Sequence, residues 1–340
     1  MRSRRAVTHI GARKENEKTT DYELARASKD IDIIIGGHSH TLIKPDNATE
    51  GYPSVVENAD GRPVLVAQTG RYGKYLGYIK IDLDDLKTET PADFDYRLIP
   101  VTDRFPSEAL DRKMNDFITP YRDRLKAVDA NVIGYCTADM DANARTGRYV
   151  NWSGDFAKWF GSLKADSLRA AGVDFPEVDF GMMNVGGIRH HAKKGDVTEG
   201  QMLATFPFSN HMVIVEISGR DFIEAMKVAA EKGGEAVSDE IRVVGDGKNA
   251  PVRVIINDRE MDPDAKYVFS TIDYLANGND DFVTLANGRV LWRDDVEMCA
   301  PMIRYVKMLT SLGLPVDGDP RPRFMAPVDI QSGGPDSNTK

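Results

Sequence analysis

Cysteine is nearly absent from this chain. Cys136 and Cys299 are the two among 340 residues, too few for a disulfide framework, so cysteine usage leaves the redox compartment open. Long apolar runs are absent too. None approaches the roughly 20 residues needed to cross a bilayer, which leaves no candidate membrane span. An excess of basic charge is missing: 44 Lys and Arg face 53 Asp and Glu, for a net charge of -9. That balance argues against nucleic acid as a main partner, because phosphate backbones require basic surface. An anionic ligand would need a local cluster of Arg. The opening "MRSRRAVTHIG" is basic, but no apolar segment of the kind found in signal peptides follows it, so these residues show no export signal.

What is present fits an ordinary globular protein, 41% hydrophobic and 29% charged. The length suits two domains at about 150 residues each. The first hundred residues divide into short α/β units. "YELARASKD" suits a helix, "IDIIIGG" a buried strand, "GRPVLVAQTG" a second, and "YLGYIKIDLD" a third with alternating faces. From Ser107 the period turns helical, with Leu110, Met114, Phe117 and Ile118 on one face. Ser107 is the expected cap, and Pro120 is expected to kink or interrupt the helix. Past Asn131 a second α/β region begins. It includes a helix ending at Gly172, the strand "VDFGMMNVGGIR" running into a Gly turn, the strand "HMVIVEISG" with the helix "RDFIEAMKVAAEKGG" after it, the segments "APVRVIIND" and "KYVFSTIDYLANG", and a closing helix near "APMIRYVKMLTSLG".

Three constellations carry chemistry. In "IDIIIGGHSHT" an apolar strand stops at Gly-Gly and is followed by His38 and His40. Two imidazoles two apart on an extended segment would share a side and suit a divalent transition ion, at the sheet end where α/β folds gather ligands. His9, in "AVTHIG", occupies a similar strand-to-turn boundary. In "NVGGIR", the amides of Gly186 and Gly187 can approach an anion closely. Arg189 offers a forked donor and Asn184 an amide at the same mouth. In "TFPFSN" and "IDYLANGNDDF", Phe206, Phe208 and Tyr274 flank turns, where two aromatic faces can clamp a planar ring such as a nucleobase. Asp280 can accept hydrogen bonds from ribose hydroxyls. Each constellation also has a plain structural interpretation, as a polar turn or as core aromatics beside one.

Their order along the chain carries more weight than any one of them. "THIG", "IDIIIGGHSHT", "VLVAQTGRYGKYLGYIKIDLD", "ADSLR", "NVGGIR", "GDVTEGQMLATFPFSN", "VEISG" and "IDYLANGNDDF" together resemble the 5′-nucleotidase family. That family includes UDP-sugar hydrolases and 2′,3′-cyclic-nucleotide phosphodiesterases. The resemblance implies an α/β (α+β) chain of four parts. Residues 1–104 would be the C-terminal remnant of a calcineurin-like metallophosphatase sandwich, and 105–130 a linker helix. Residues 131–328 would be a complete substrate-binding domain, and 329–340 a disordered tail.

The resemblance also implies residue roles. His9, His38 and His40 would be ligands of a divalent ion, zinc or manganese. Asn184, Gly186, Gly187 and Arg189 would lie on the phosphate side, and Arg148 is a further cation considered there. Phe208 and Tyr274 would sandwich the base, and Asp280 would contact ribose. The implied reaction is two-metal hydrolysis of a nucleoside monophosphate to nucleoside and phosphate, in a periplasmic or extracellular protein.

The departures from the family pattern limit that expectation. Val185 stands where glycine is usual, as do Asn279 and Asp281. The family's metal motifs "DxH", "GDxxD" and "GNHE" do not occur in these residues, and with them go the bridging Asp and the catalytic His. Two ions about 3.5–4 Å apart need bridging ligands that three neutral imidazoles do not supply. The expectation is therefore a C-terminal portion of such an enzyme, with no catalytic residue of its own and inactive alone. It would either take its missing half from a separate metallophosphatase polypeptide or serve as a non-catalytic nucleotide-binding module.

Overall fold

Ile33, Ile34 and Ile35 are inner-strand residues of the first sheet, and their alternation decides what packs on each side of it. In the computed structural model, which describes residues 4–12, 19–81, 94–102, 108–248 and 251–326, two compact units are distinguished, Met1–Asn115 and Asp116–Lys340. Both are mixed α/β.

In the first unit, β1 (Arg5–Val7), β2 (Ile33–Ile35) and β4 (Pro63–Ala67) run parallel, and β3 (Val55–Glu57) closes the sheet antiparallel to β4. Helix α1 (Asp21–Ala27) crosses from β1 to β2. It starts at a capping box in which Thr20 Oγ1 accepts from the Glu23 amide at 3.1 Å and Glu23 Oε2 from the Thr20 amide at 2.9 Å. Ile34, Val64 and Val66 pack with Tyr22 and Ala25 of α1. Ile33, Leu65 and Ala67 pack on the other face with Tyr96, Ile79 and Leu98, from the hairpin β5 (Tyr75–Lys80) and β6 (Asp95–Pro100). Val7 on the edge strand β1 and Ile35 at the end of β2 stay exposed.

Helix α2 runs Glu108–Asp129, and the boundary between the units falls within it. Pro120 lies inside it and does not interrupt it, so of the two expected effects, a kink or an interruption, the interruption does not occur. The described face of this stretch is exposed, so water can satisfy the carbonyl that proline leaves without a donor. The expected Ser107 cap and the tail at 329–340 lie outside the described residues.

The second unit opens with β7 (Val132–Cys136), which pairs with β9 (Gly195–Thr198), and with α3 (Arg148–Ala170). Its main sheet has the order β11 (Ala236–Val237), β8 (Phe180–Met183), β15 (Lys266–Ile272), β10 (His211–Ser218), β16 (Arg289–Glu297). A smaller sheet joins β12 (Ile241–Val244), β13 (Arg253–Ile256), β14 (Arg259–Glu260) and β17 (Phe324–Met325). The helices α4 (Glu199–Thr205), α5 (Gly219–Glu231), α6 (Asp273–Ala276) and α7 (Cys299–Ser311) complete it. The segment "KYVFSTIDYL" forms β15 and turns into α6 after Ile272.

The core is aromatic. Trp152, Phe156, Phe180, Phe222, Phe269 and Phe282 are fully buried, and burying each contributes about 1.5–3 kcal/mol. Helix α3 packs directly against β8 and β11, a closeness that two glycines permit. A Cβ on Gly154 would lie 2.3 Å from the Val237 carbonyl, and one on Gly181 would lie 2.3 Å from the Lys158 amide nitrogen. Neither backbone neighbour can move aside cheaply. Gly154→Ala is therefore expected to destabilise the second unit by about 1–3 kcal/mol in denaturant unfolding. An unchanged midpoint would contradict this packing.

Candidate functional site

Strand direction assembles the site in the second unit. β8 runs parallel to β15, with Phe180 opposite Phe269, so the segments leaving both strands emerge at one edge of the sheet. Asn184 follows β8 directly, and Tyr274 and Asp280 follow β15. β10 is antiparallel to β15 and pairs Met212 with Ile272. The loop that enters β10, carrying Phe208, therefore reaches the same edge, and ligands gather at such strand ends.

Hydrogen bonds join these segments. Asn184 is 7% exposed, and its Nδ2 donates to Asp280 Oδ2 at 2.8 Å. The Tyr274 hydroxyl donates to Asp280 Oδ1 at 3.0 Å. Burial, and then the Asp280 charge, push the Tyr274 phenol up to about 12, so the hydroxyl stays protonated and remains a donor at neutral pH. Asn184 Oδ1 is buried without a hydrogen-bond partner. It lies 2.7 Å from where a Cβ on Gly187 would be, so glycine is needed there.

The turn Val185–Gly187 leads to Arg189, whose Nη1 donates to the Gly186 carbonyl at 3.1 Å. The Arg189 guanidinium carbon sits 5.6 Å from the centroid of the Phe208 ring, a cation–π contact. Phe208 is 43% exposed and Tyr274 37%, which leaves aromatic surface open to a ligand. The His211 amide, close behind Phe208, donates to Asp273 Oδ1 at 3.1 Å and so ties its loop to α6.

Asn184, Gly186, Gly187, Arg189, Phe208, Tyr274 and Asp280 thus belong to one connected edge of the sheet. Phe206 does not. It is 2% exposed and packs edge-on against Tyr149 in the core, with ring centroids 6.1 Å apart. Phe208, two residues on and past the end of α4 at Thr205, is exposed instead. Arg148 is engaged elsewhere, donating to the Gly318 carbonyl at 3.0 Å.

Sequence reasoning missed two charged residues behind this edge. Glu235 accepts hydrogen bonds from the Val185 amide and, at 3.3 Å, from the Ala236 amide. Lys232 pairs with Asp281 at 2.9 Å and donates to the Asp280 carbonyl. Both lie in the ordinary-looking connector "EKGGEAV", where only the paired glycines mark an unusual backbone.

In the first unit, the loop after β2 is pinned from within. Ser39 is buried; its Oγ accepts from the Ala12 amide at 3.0 Å and donates to Gln68 Oε1 at 3.1 Å. This arrangement corrects the expectation of an extended His-x-His. His38 and His40 both adopt left-handed backbone, with φ of 68° and 54°, and both stand at the surface of the loop. Such strained non-glycine residues cost about 1–3 kcal/mol each and cluster at functional segments. His9 and His38 have ring centroids 5.2 Å apart, whereas the His40 ring lies 6.4 Å from that of Tyr72.

A buried carboxylate lies near His9. Asp21 Oδ1 accepts from the Thr8 hydroxyl at 2.5 Å, and Oδ2 is buried without a hydrogen-bond partner. Burial raises its pKa, against the lowering influence of Thr8 and His9. It does not complete a metal site: among the described residues, no three His, Cys, Asp or Glu are disposed to hold an ion. Two imidazoles without a bridging carboxylate do not fit a binuclear centre.

The segment that builds this edge coincides with a known domain: residues 132–287 match the family model for the 5′-nucleotidase, C-terminal domain. Through that segment the chain is similar to the 5′-nucleotidase family. It is 29% identical over 234 residues to the trifunctional nucleotide phosphoesterase protein YfkN of Bacillus subtilis, covering 68% of this chain and 14% of that one. It is 25% identical over 311 residues to protein UshA of Yersinia enterocolitica, covering 82% and 53%. With the 5′-nucleotidase of Mus musculus the identity is 24% over 294 residues, covering 77% and 49%. The chain therefore spans about half the length of the last two relatives, and less of the first. Among solved structures, the fold is similar to the 5′-nucleotidase precursor of Thermus thermophilus, with a TM-score of 0.63 at 23% identity over 90% of this chain and 61% of that one. It is also similar to a putative 5′-nucleotidase of Staphylococcus aureus, with a TM-score of 0.57 at 18% identity over 87% and 56%.

The donor set makes a direct prediction. Dialysed against zinc or manganese, the 340-residue polypeptide is expected not to retain a pair of tightly bound ions by elemental analysis. Two ions per chain that resist dialysis, and that are lost in His9→Ala, would contradict the geometry described.

Proposed function

We propose that the second unit binds a nucleoside or nucleotide. Phe208 and Tyr274 clamp the base, Asp280 accepts from ribose hydroxyls, and Asn184, Gly186, Gly187 and Arg189 meet the phosphate. The observation that carries this proposal is the Asn184–Asp280–Tyr274 network, which joins two loops at one sheet edge beside an exposed aromatic and an Arg. A purely structural loop contact would not need outward-facing rings on both sides. The names of the relatives, among them nucleotide phosphoesterase and 5′-nucleotidase, support the same ligand class.

The reaction proposed for the complete system is hydrolysis of nucleotide phosphate esters. Since the described residues do not fit a two-metal centre, none of them is given a catalytic role. We infer that residues 1–104 are part of a metallophosphatase domain. His9, His38 and His40 would contribute to a zinc or manganese site whose remaining ligands come from outside these 340 residues, whether from more of the same polypeptide or from a separate one. A periplasmic or extracellular location goes with this proposal. No described helix is long and apolar enough to cross a membrane.

Calorimetry with adenosine and AMP, without metal, tests the binding half. Binding is expected, and Phe208→Ala and Tyr274→Ala should each weaken it by about tenfold, the loss of one stacking face. Phosphate release from AMP with added manganese or zinc tests the catalytic half. The polypeptide alone is expected to show none, and sustained turnover would refute the assignment of catalysis to missing ligands.

A further inference from the structure

We propose that Lys232 and Glu235, on the connector between α5 and β11, are positioning residues that hold the two lips of this pocket in register. Lys232 would hold the Asp280–Asp281 lip and Glu235 the Val185–Gly187 lip. The inference rests on the nucleoside-binding proposal above.

The connector is shaped for this task. Gly233 and Gly234 have φ of 89° and 131°, values closed to most side chains. A Cβ on Gly234 would lie 2.5 Å from the Arg145 carbonyl oxygen. The reversal at these glycines lets two residues three apart serve opposite lips. Glu235 is 3% exposed, an expensive place for a carboxyl group unless it is well bonded. It accepts from the Val185 amide, the first of the turn that carries Gly186 and Gly187, and from the Ala236 amide. Arg145 lies 3.7 Å from it. Lys232 pairs with Asp281 and donates to the Asp280 carbonyl while lying 4.9 Å from the Phe282 ring centroid. Asp280 and Asp281 both have left-handed backbone, with φ of 55° and 66°, a conformation that persists only when its surroundings enforce it. The Asn184–Asp280 bond joins the two lips directly. Lys232 and Glu235 hold the same two lips from the connector, each through its own partners.

The charged groups facing Glu235 are Arg145 and Asp280. Burial, the largest influence, raises its carboxyl to about 7. Above that pH the carboxylate is a strong acceptor for the two amides. Below it, the charge and part of the hold on the turn are lost. Nucleoside affinity should therefore fall as pH drops through neutrality. Adenosine has no group that titrates in this window, so any such change reports on the protein.

The test uses the full chain, with hydrogen exchange at the Val185–Gly187 amides and adenosine calorimetry from about pH 6 to about pH 8. Expected in Glu235→Ala is exchange at Val185 faster by about tenfold or more, with weaker adenosine binding. Glu235→Gln, isosteric but locked neutral, should bind with the acid-side affinity at every pH, while the wild type loses about tenfold on acidification. Lys232→Met, which keeps the apolar stem over Phe282, should weaken adenosine binding with exchange at Val185 unchanged. Wild-type exchange in Glu235→Ala, or a wild-type pH profile in Glu235→Gln, overturns the proposal, as does full adenosine affinity in Lys232→Met. If the wild type binds no adenosine, the nucleoside proposal fails, and the exchange measurement still decides whether Glu235 holds its lip.

Discussion

The hydrogen bond from Asn184 to Asp280, 2.8 Å long across 96 residues of sequence, is the contact on which the candidate site depends. It spans two loops that share nothing except their exit from neighbouring parallel strands. Without it, the glycine turn after β8 and the left-handed turn after α6 would lose their direct link. A half-buried polar contact of this kind is worth more than an exposed one, because the buried Asn184 has little water to fall back on. Tyr274 adds a second donor to the same carboxylate, so Asp280 acts as the knot of the site.

The rest of the second unit makes that contact possible. The aromatic core, and the tight seating of α3 against β8 and β11 through Gly154 and Gly181, fix where β8 ends. The register of β8, β15 and β10 then brings Asn184, Tyr274 and the Phe208 loop to one edge. Rigidity is needed here because a clamp for a planar ring selects by spacing. A loose frame would bind any apolar surface weakly.

Much of this was legible in the sequence. The glycine turn, the outward aromatics and the Asp in a polar loop were visible as motifs, and the apolar strands as periodic runs. The rest was hidden for physical reasons. β16 is largely exposed and so lacks a strong apolar signature. Phe206 and Phe208 look alike in sequence, but one lies in the core and the other on the rim. Glu235 and Lys232 gave no signal, because burial and partners are properties of the fold. The strand before His38 implied an extended continuation, yet both His residues turn left-handed around a pinned Ser39. A local hydrogen-bond set overrode the strand pattern there.

The two units therefore stand differently. The second joins its seven candidate residues into one edge, while the first has imidazoles that, among the described residues, join no group of three His, Cys, Asp or Glu able to hold an ion. A crystal structure of the chain soaked with adenosine tests the central claim most directly. The account predicts the base between Phe208 and Tyr274 with the ribose on Asp280, and density for adenosine at any other site, with this edge empty, would contradict it.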